Sequence, residues 1–445
     1  MNFDKGKLGS VLLNAARLLL AATFILSGFV KAVDPKGTAY KIADYLQAMH
    51  LDGLVPETGT IMMSIALSAL EFSVGVFLLF AIQRRLASRI AVALLAVMTP
   101  LTLWLAVANP VSDCGCFGDA LVLTNWQTFW KNVVLLIAAI IVAAKPKVMF
   151  RFVSESNQWI VINYTILFIL AISGWCLYYL PMFDFRPYHI GANIREGMEI
   201  PEDAKGPQFE TTFILEKDGE RREFDIDNYP DSTWTLIDTR TVQTEEGYVP
   251  PIHDFSLTTL DGEDITDEVL NDTSYVLLLV SPHLEKADDS QLSNINELYE
   301  YSEEQGYAFY GLTASNQEGI SKWRDLTGAE YPFCLVDEIT LKTIIRSNPG
   351  LVLLKNGTVV RKWGHNELPE MEMMVASKPL EQMEIGQMPK DDVGTKILWL
   401  LIGFVLPLAL LTIADRIWMW SQWVRKKNPM RLKKTENNDN LTQQP

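Results

Sequence analysis

Six stretches of the chain are almost wholly apolar: residues 8–33, 60–82, 86–108, 126–144, 159–181 and 395–420. Each has about the 20 residues a helix needs to cross a hydrocarbon layer roughly 30 Å thick, so the pattern predicts six membrane-spanning helices. The first stretch is too long for a signal peptide's apolar region and runs into "SGFVKAVDP" rather than a small-residue cleavage site, which predicts a retained span. Between the fifth and sixth stretches the period changes. "FETTFILEKDGERREFDI" alternates apolar and polar residues as a β-hairpin does, turning at Asp218-Gly219. Then come a buried-strand run, "SYVLLLVSP", a helical "SQLSNINELYEYSEEQG", a strand "YAFYGLTAS" and a closing hairpin in "NPGLVLLKNGTVVRKW". Strands alternating with helices and ending in a hairpin indicate a small α/β sheet domain.

Charge orients this arrangement. The short basic segments "KGK" at 5–7, "QRRLASR" at 83–89, "KPKVMFR" at 145–151 and "RKKNPMRLKK" at 425–434 alternate correctly with six crossings if both termini are cytoplasmic. Residues 182–394 are then extracytoplasmic, and the expected location is a bacterial inner membrane. This segment holds 42 of the 54 acidic residues and 17 of the 38 basic ones, a net of −25. A strongly acidic outer domain speaks against nucleic acid or anionic headgroups as its partner.

All four cysteines fall on the disulfide-permissive side of this topology or near it. Cys114 and Cys116, in "NPVSDCGCFGDALVLTNW", lie in the outer loop between spans three and four; Cys176 is near the outer end of span five; Cys334 is in the outer domain. A Cys-Gly-Cys bridge closes a small, strained ring of the readily exchanging kind, so a redox dithiol is the favoured reading of Cys114 and Cys116. Two reduced spectators are the plainer alternative. A four-ligand zinc site lacks a nearby His. Lys31 and Lys131, at the outer ends of spans one and four, would sit at the level of the loop and lower a thiol pKa. Arg17 and Glu71 fall near the middle of spans one and two, and pairing with each other is the economical solution for two charges at that depth. Such a pair is either a structural tie or part of a proton or quinone-headgroup site. Cys176 and Cys334 read first as packing residues and second as spare thiols, and His283 as a solvated loop residue.

"RLLLAATFILSGFVKAVDP", Glu71 in "ALEFSVGVFLL" and "DCGCFGDALVLTNWQTFWKNVVLL" resemble the DoxX-like membrane proteins, most closely the methylamine-utilisation MauE branch, over about residues 8–145. The resemblance implies a four-helix bundle over 1–150, related in architecture to the vitamin K epoxide reductase type and working with a thioredoxin-like partner on envelope disulfides. A fifth span (155–182), a linker and hairpin (183–248), the α/β domain (249–392), a sixth span (393–424) and a basic tail (425–445) complete the expected layout. Over about 250–370, "HDFSLTTLDGEDIT" and "SNPGLVLLKNG" resemble the peroxiredoxin and TlpA-like branch of the thioredoxin fold, with Pro349 at the cis-proline position and Gly357 at the following turn. Where that family carries its cysteines this chain reads "SPHLEKADDS". Without a thiolate there, the outer domain is expected to recruit a thiol partner rather than to perform exchange. The rival expectation is a non-enzymatic envelope scaffold in which the Cys-Gly-Cys loop is a fixed staple.

Overall fold

The computed structural model describes residues 5–111, 114–201, 204, 208–217, 220–224, 235–245, 247–370, 378–390 and 393–427. The chain divides into two compact units, Met1–Arg186 with Pro389–Pro445, and Pro187–Met388. Six helical segments are long and apolar enough to cross a membrane: Gly9–Val33, Glu57–Phe80, Arg84–Ala108, Asn125–Ala144, Glu155–Tyr178 and Val393–Val424. The chain is a multi-pass membrane protein.

The first unit opens with α1 (Lys5–Val33), α2 (Pro35–Ala48), α3 (Glu57–Phe80), α4 (Arg84–Ala108), α5 (Asn125–Ala144) and α6 (Gln158–Tyr178). Helix α1 stops where Pro35 disfavours a helical residue before it. Asp34 then caps α2, its Oδ1 accepting the Gly37 N–H at 2.8 Å, with Pro35 in the first turn where no N–H is missed. Hydropathy alone does not reveal this short amphipathic helix. A capping box of Thr124 and Gln127 starts α5. Leu20, Leu78, Leu95, Leu135 and Ala139 bring α1, α3, α4 and α5 into one apolar core.

Helices α1 and α3 touch backbone to backbone. A Cβ on Gly28 would stand 2.4 Å from Phe72 N, and one on Gly75 would stand 2.7 Å from Ile25 N. Small residues at such crossings are the usual means of close helix approach in lipid.

The second unit carries α7 (Ile194–Met198) and an antiparallel sheet of β1 (Gln208–Lys217), β2 (Glu220–Phe224) and β3 (Thr235–Glu245), ordered β2-β1-β3. Lys217 pairs with Glu220 as expected of the hairpin, whose turn residues Asp218-Gly219 lie outside the described residues. There follow β4 (Thr258–Thr259), α8 (Thr266–Asn271), β5 (Tyr275–Val280), α9 (Leu292–Gln305), β6 (Ala308–Thr313), α10 (Gln317–Thr327), β7 (Phe333–Leu335), α11 (Glu338–Ile344), β8 (Gly350–Lys355) and β9 (Thr358–Gly364). Their order is β4-β7-β6-β5-β8-β9, with β5 parallel to β6 and antiparallel to β8. Every residue of β5 is buried, which is why its sequence is a continuous apolar run rather than an alternation. The layout of β6, β5, β8 and β9 is thioredoxin-like, and the Asn348–Pro349 peptide before β8 is cis. Asn356 and Gly357, both at positive φ, make the β8–β9 turn.

The chain returns to the first unit with α12 (Val393–Leu400) and α13 (Leu406–Lys427), joined by one π-helical stretch. Leu408 packs with Val33, Val76, Val161 and Ile169. Asp415 of α13 accepts from the Ser154 N–H at 2.9 Å, the Ser154 hydroxyl and Asn157 Nδ2 at 2.7 Å, holding the start of α6.

Candidate active site

The loop between α4 and α5 is held at both ends before it presents its cysteines. Asn109 ends α4 in the left-handed region, and Asn125 Nδ2 donates to Asn109 Oδ1 and to the Val111 carbonyl, each at 2.9 Å. Gly115, between the two cysteines, sits at φ +61°, where L side chains are strained, and a Cβ there would also lie 3.1 Å from Lys41 Cγ. The Sγ atoms of Cys114 and Cys116 stand 2.8 Å apart as free thiols, against about 2.05 Å in a formed bridge.

Beneath the loop lies a buried polar cluster. Lys31 Nζ donates to Ser27 Oγ at 2.6 Å, to Glu71 Oε2 at 2.8 Å and to the Cys116 carbonyl at 2.8 Å, which uses all three of its N–H groups. The Ser27 hydroxyl is within 2.8 Å of Glu71 Oε2 and 2.7 Å of the Cys116 carbonyl, and its one hydrogen serves either. From α2 the Tyr45 hydroxyl donates to the Cys114 carbonyl. Lys131 of α5 stands over the Phe117 ring at 4.3 Å. These groups open onto one cavity of about 80 Å³, walled further in by Phe24, Leu67, Leu94, Leu95, Met98 and Leu135.

The two thiols are electrostatically unequal. The hydrogen bond with Cys114 holds the Cys116 thiol below an ordinary thiol, and the Lys131 and Lys31 charges act in the same sense. Cys114 is pushed well above an ordinary thiol, first by acting as the donor of that bond and then by burial. Cys116 is therefore the more acidic thiol of the pair.

Cys114, Cys116, Lys31, Lys131 and Glu71 thus come together, and Arg17 does not join them. The expected Arg17–Glu71 pair is not formed. Arg17 Nη1 donates to the Phe150 carbonyl at 2.9 Å, and its guanidinium lies 5.9 Å from the Phe152 ring centroid. The cause is helix register: with Gly28 against Phe72 and Gly75 against Ile25, Glu71 comes level with Ser27 and Lys31. Arg17 lies fourteen residues before Lys31 in α1, about 20 Å along its axis. Counting depth from each helix end could not see this. Ser27 lies one helical turn before Lys31 in α1, and Tyr45 reaches the loop only through α2, a helix too short and polar for hydropathy to mark.

Cys176 packs with Val161, Ile169 and Leu408, away from the cavity lining. Cys334 is buried on β7, and burial raises its thiol to about 11. Where thiols would stand after β5, polar contacts close the second unit on itself. Asn348 accepts from Ser281 Oγ at 2.6 Å and donates to the His283 carbonyl at 2.9 Å, while its own carbonyl accepts the Asp288 N–H at 3.0 Å. His283 is no solvated spectator, since its Nε2 lies 2.9 Å from Glu338 Oε1.

Residues 9–145 match the family model of methylamine utilisation protein MauE. The MauE segment therefore spans α1 to α5 and contains the whole thiol site. Residues 209–246 match a domain of unknown function, DUF8463. No curated protein matches the sequence significantly. Among solved structures, a putative protein disulfide isomerase from Bacteroides thetaiotaomicron is 19% identical over 24% of this chain and 73% of its own, with a TM-score of 0.20. StoA from Bacillus subtilis is 16% identical over 28% and 96%, TM-score 0.22. The bacterioferritin comigratory protein of Xanthomonas campestris is 14% identical over 28% and 88%, TM-score 0.21.

Proposed function

We propose that the MauE segment is a four-helix bundle whose outer loop exchanges disulfides with an extracytoplasmic thiol protein through Cys114 and Cys116. The observation that carries this reading is the pair of sulfurs 2.8 Å apart at the mouth of a cavity, with a lysine–glutamate cluster gripping the loop backbone. In the oxidising direction, a partner thiolate attacks one sulfur of the Cys114–Cys116 bridge. A mixed disulfide forms and the other cysteine leaves as a thiolate. The second partner thiol then attacks the partner's own sulfur in that mixed bond. The partner is released as a disulfide and the loop as a dithiol, with two electrons and two protons transferred. A low-pKa thiolate is a good leaving group, the role Cys116 suits.

The loop must then be reoxidised. The cavity suits the headgroup of a quinone: Phe24, Leu94, Leu95, Met98 and Leu135 offer an apolar slot, and Glu71 and Asn132 offer polar contacts. A bound quinone would supply the two-electron acceptor. Lys31 and Glu71 would fix the loop and hold protons near the thiols.

In this reading both termini are cytoplasmic, and the acidic second unit recruits the partner. A second reading, a non-enzymatic scaffold, draws on the Asn348 contacts that tie the vacated thioredoxin-like site shut. Replacing either loop cysteine by Ser decides between the two. In exchange, one single variant should accumulate a covalent adduct with the natural partner on a non-reducing gel of intact cells, and the double variant should not. Absence of any adduct in both single variants, at normal protein levels, would leave the scaffold.

A further inference from the structure

At the end of α4 and α5 opposite the cysteine loop, the chain forms a second, polar cavity of about 560 Å³, lined by Gln83, Arg84, Arg85, Lys147, Arg151 and Glu155 among others. Four cationic side chains converge there on a single carboxylate among the described lining residues. The cavity is built rather than incidental. Arg84 Nη1 donates to the Lys147 and Met149 carbonyls, both at 3.0 Å, which fixes the guanidinium against the α5–α6 connection. Arg151 Nη1 donates to Glu155 Oε1 at 2.5 Å, with its side chain still 36% exposed. Arg85 and Lys147 are exposed at the rim. Phe150 and Trp159, next in sequence to the lining residues Arg151 and Gln158, expose most of their rings, the setting of an interface between headgroups and acyl chains.

We propose that this cavity binds the phosphate headgroup of an anionic phospholipid. A phosphodiester brings charge-assisted acceptors matched to Arg151, Arg85 and Lys147, and its acyl chains would lie along the exposed aromatic rings. The ligand is assigned to lipid rather than soluble phosphate because the lining sits where membrane-spanning helices end and is bordered by exposed aromatic residues.

The test uses the full-length protein in neutral detergent, with native mass spectrometry of bound lipid after adding phosphatidylglycerol or phosphatidylcholine of equal chain length. Wild type should retain phosphatidylglycerol at least about tenfold better. Arg85→Gln with Lys147→Gln should bring retention down about 10–30-fold, the scale for removing two basic residues near an anionic surface. Lys426→Gln with Lys427→Gln, a charge-matched change in the basic tail, should retain it as wild type does. Equal retention of the two lipids by wild type, or an equal loss in both double variants, would overturn the site. Displacement of phosphatidylglycerol by an equimolar amount of inorganic phosphate would overturn the lipid assignment.

Discussion

Lys31 Nζ lies 2.8 Å from Glu71 Oε2, with the two side chains only 7% and 9% exposed. The pair bridges α1 and α3, and through Lys31 it holds the carbonyl of Cys116. Helix–helix packing and loop position are therefore coupled at one nitrogen.

Removing one partner strands the other. Lys31→Met is expected to cost about 3–5 kcal/mol in the full-length protein, because Glu71 loses its charge partner in a dry site. Lys31→Met with Glu71→Leu should recover part of this, a coupling of about 1–3 kcal/mol, whereas Arg17 and Glu71 should be additive within about 0.5 kcal/mol. Thermal unfolding of the two double-mutant cycles in one detergent measures both; coupling of Arg17 with Glu71 would contradict the register.

Cys116 is expected to alkylate in the reduced protein with a pH midpoint below the usual thiol value. Cys114→Ala removes the strongest cause of that lowering and should move the midpoint up toward the usual thiol value of about 8.5. Lys131→Met should move it the same way by less. A depressed folded-state pKa stabilises the fold above the unfolded value and ceases to do so as pH falls through the folded one. Reduced wild type should accordingly lose stability as pH falls below about 8.5, and Cys116→Ala should lose less over the same fall.

In the second unit, Asn348→Ala leaves Ser281 Oγ without its acceptor and the His283 carbonyl without its donor. A stability loss of about 1–3 kcal/mol is expected. Faster amide exchange across residues 281–288 of the intact chain should accompany it, and unchanged exchange there would show that Asn348 does not hold the loop.

Asp415→Leu removes the acceptor for three donors at the start of α6. The unfolding midpoint in detergent should fall by an amount equivalent to about 1–3 kcal/mol, and Asp415→Asn, which keeps an acceptor oxygen, should fall by less.

Much was legible in the sequence because bilayer thickness and the two backbone periods act residue by residue. The six apolar lengths named six helices that could cross a membrane, and the change to alternating and buried-strand patterns marked the α/β unit. The motif "DCGCFGDALVLTNWQTFWKN" pointed to the segment that matches MauE and to the two thiols. Which charge meets Glu71 was not legible. Arg17 and Lys31 are both basic residues of the same helix, and only the close approach at Gly28 and Gly75 sets the axial register that selects Lys31. Tyr45 reached Cys114 only through α2, a helix too short and polar for hydropathy to mark, held by the Asp34 cap. Composition and period determine which elements exist, since those forces are local. Partners across elements depend on how two surfaces interlock, which no single stretch of sequence contains.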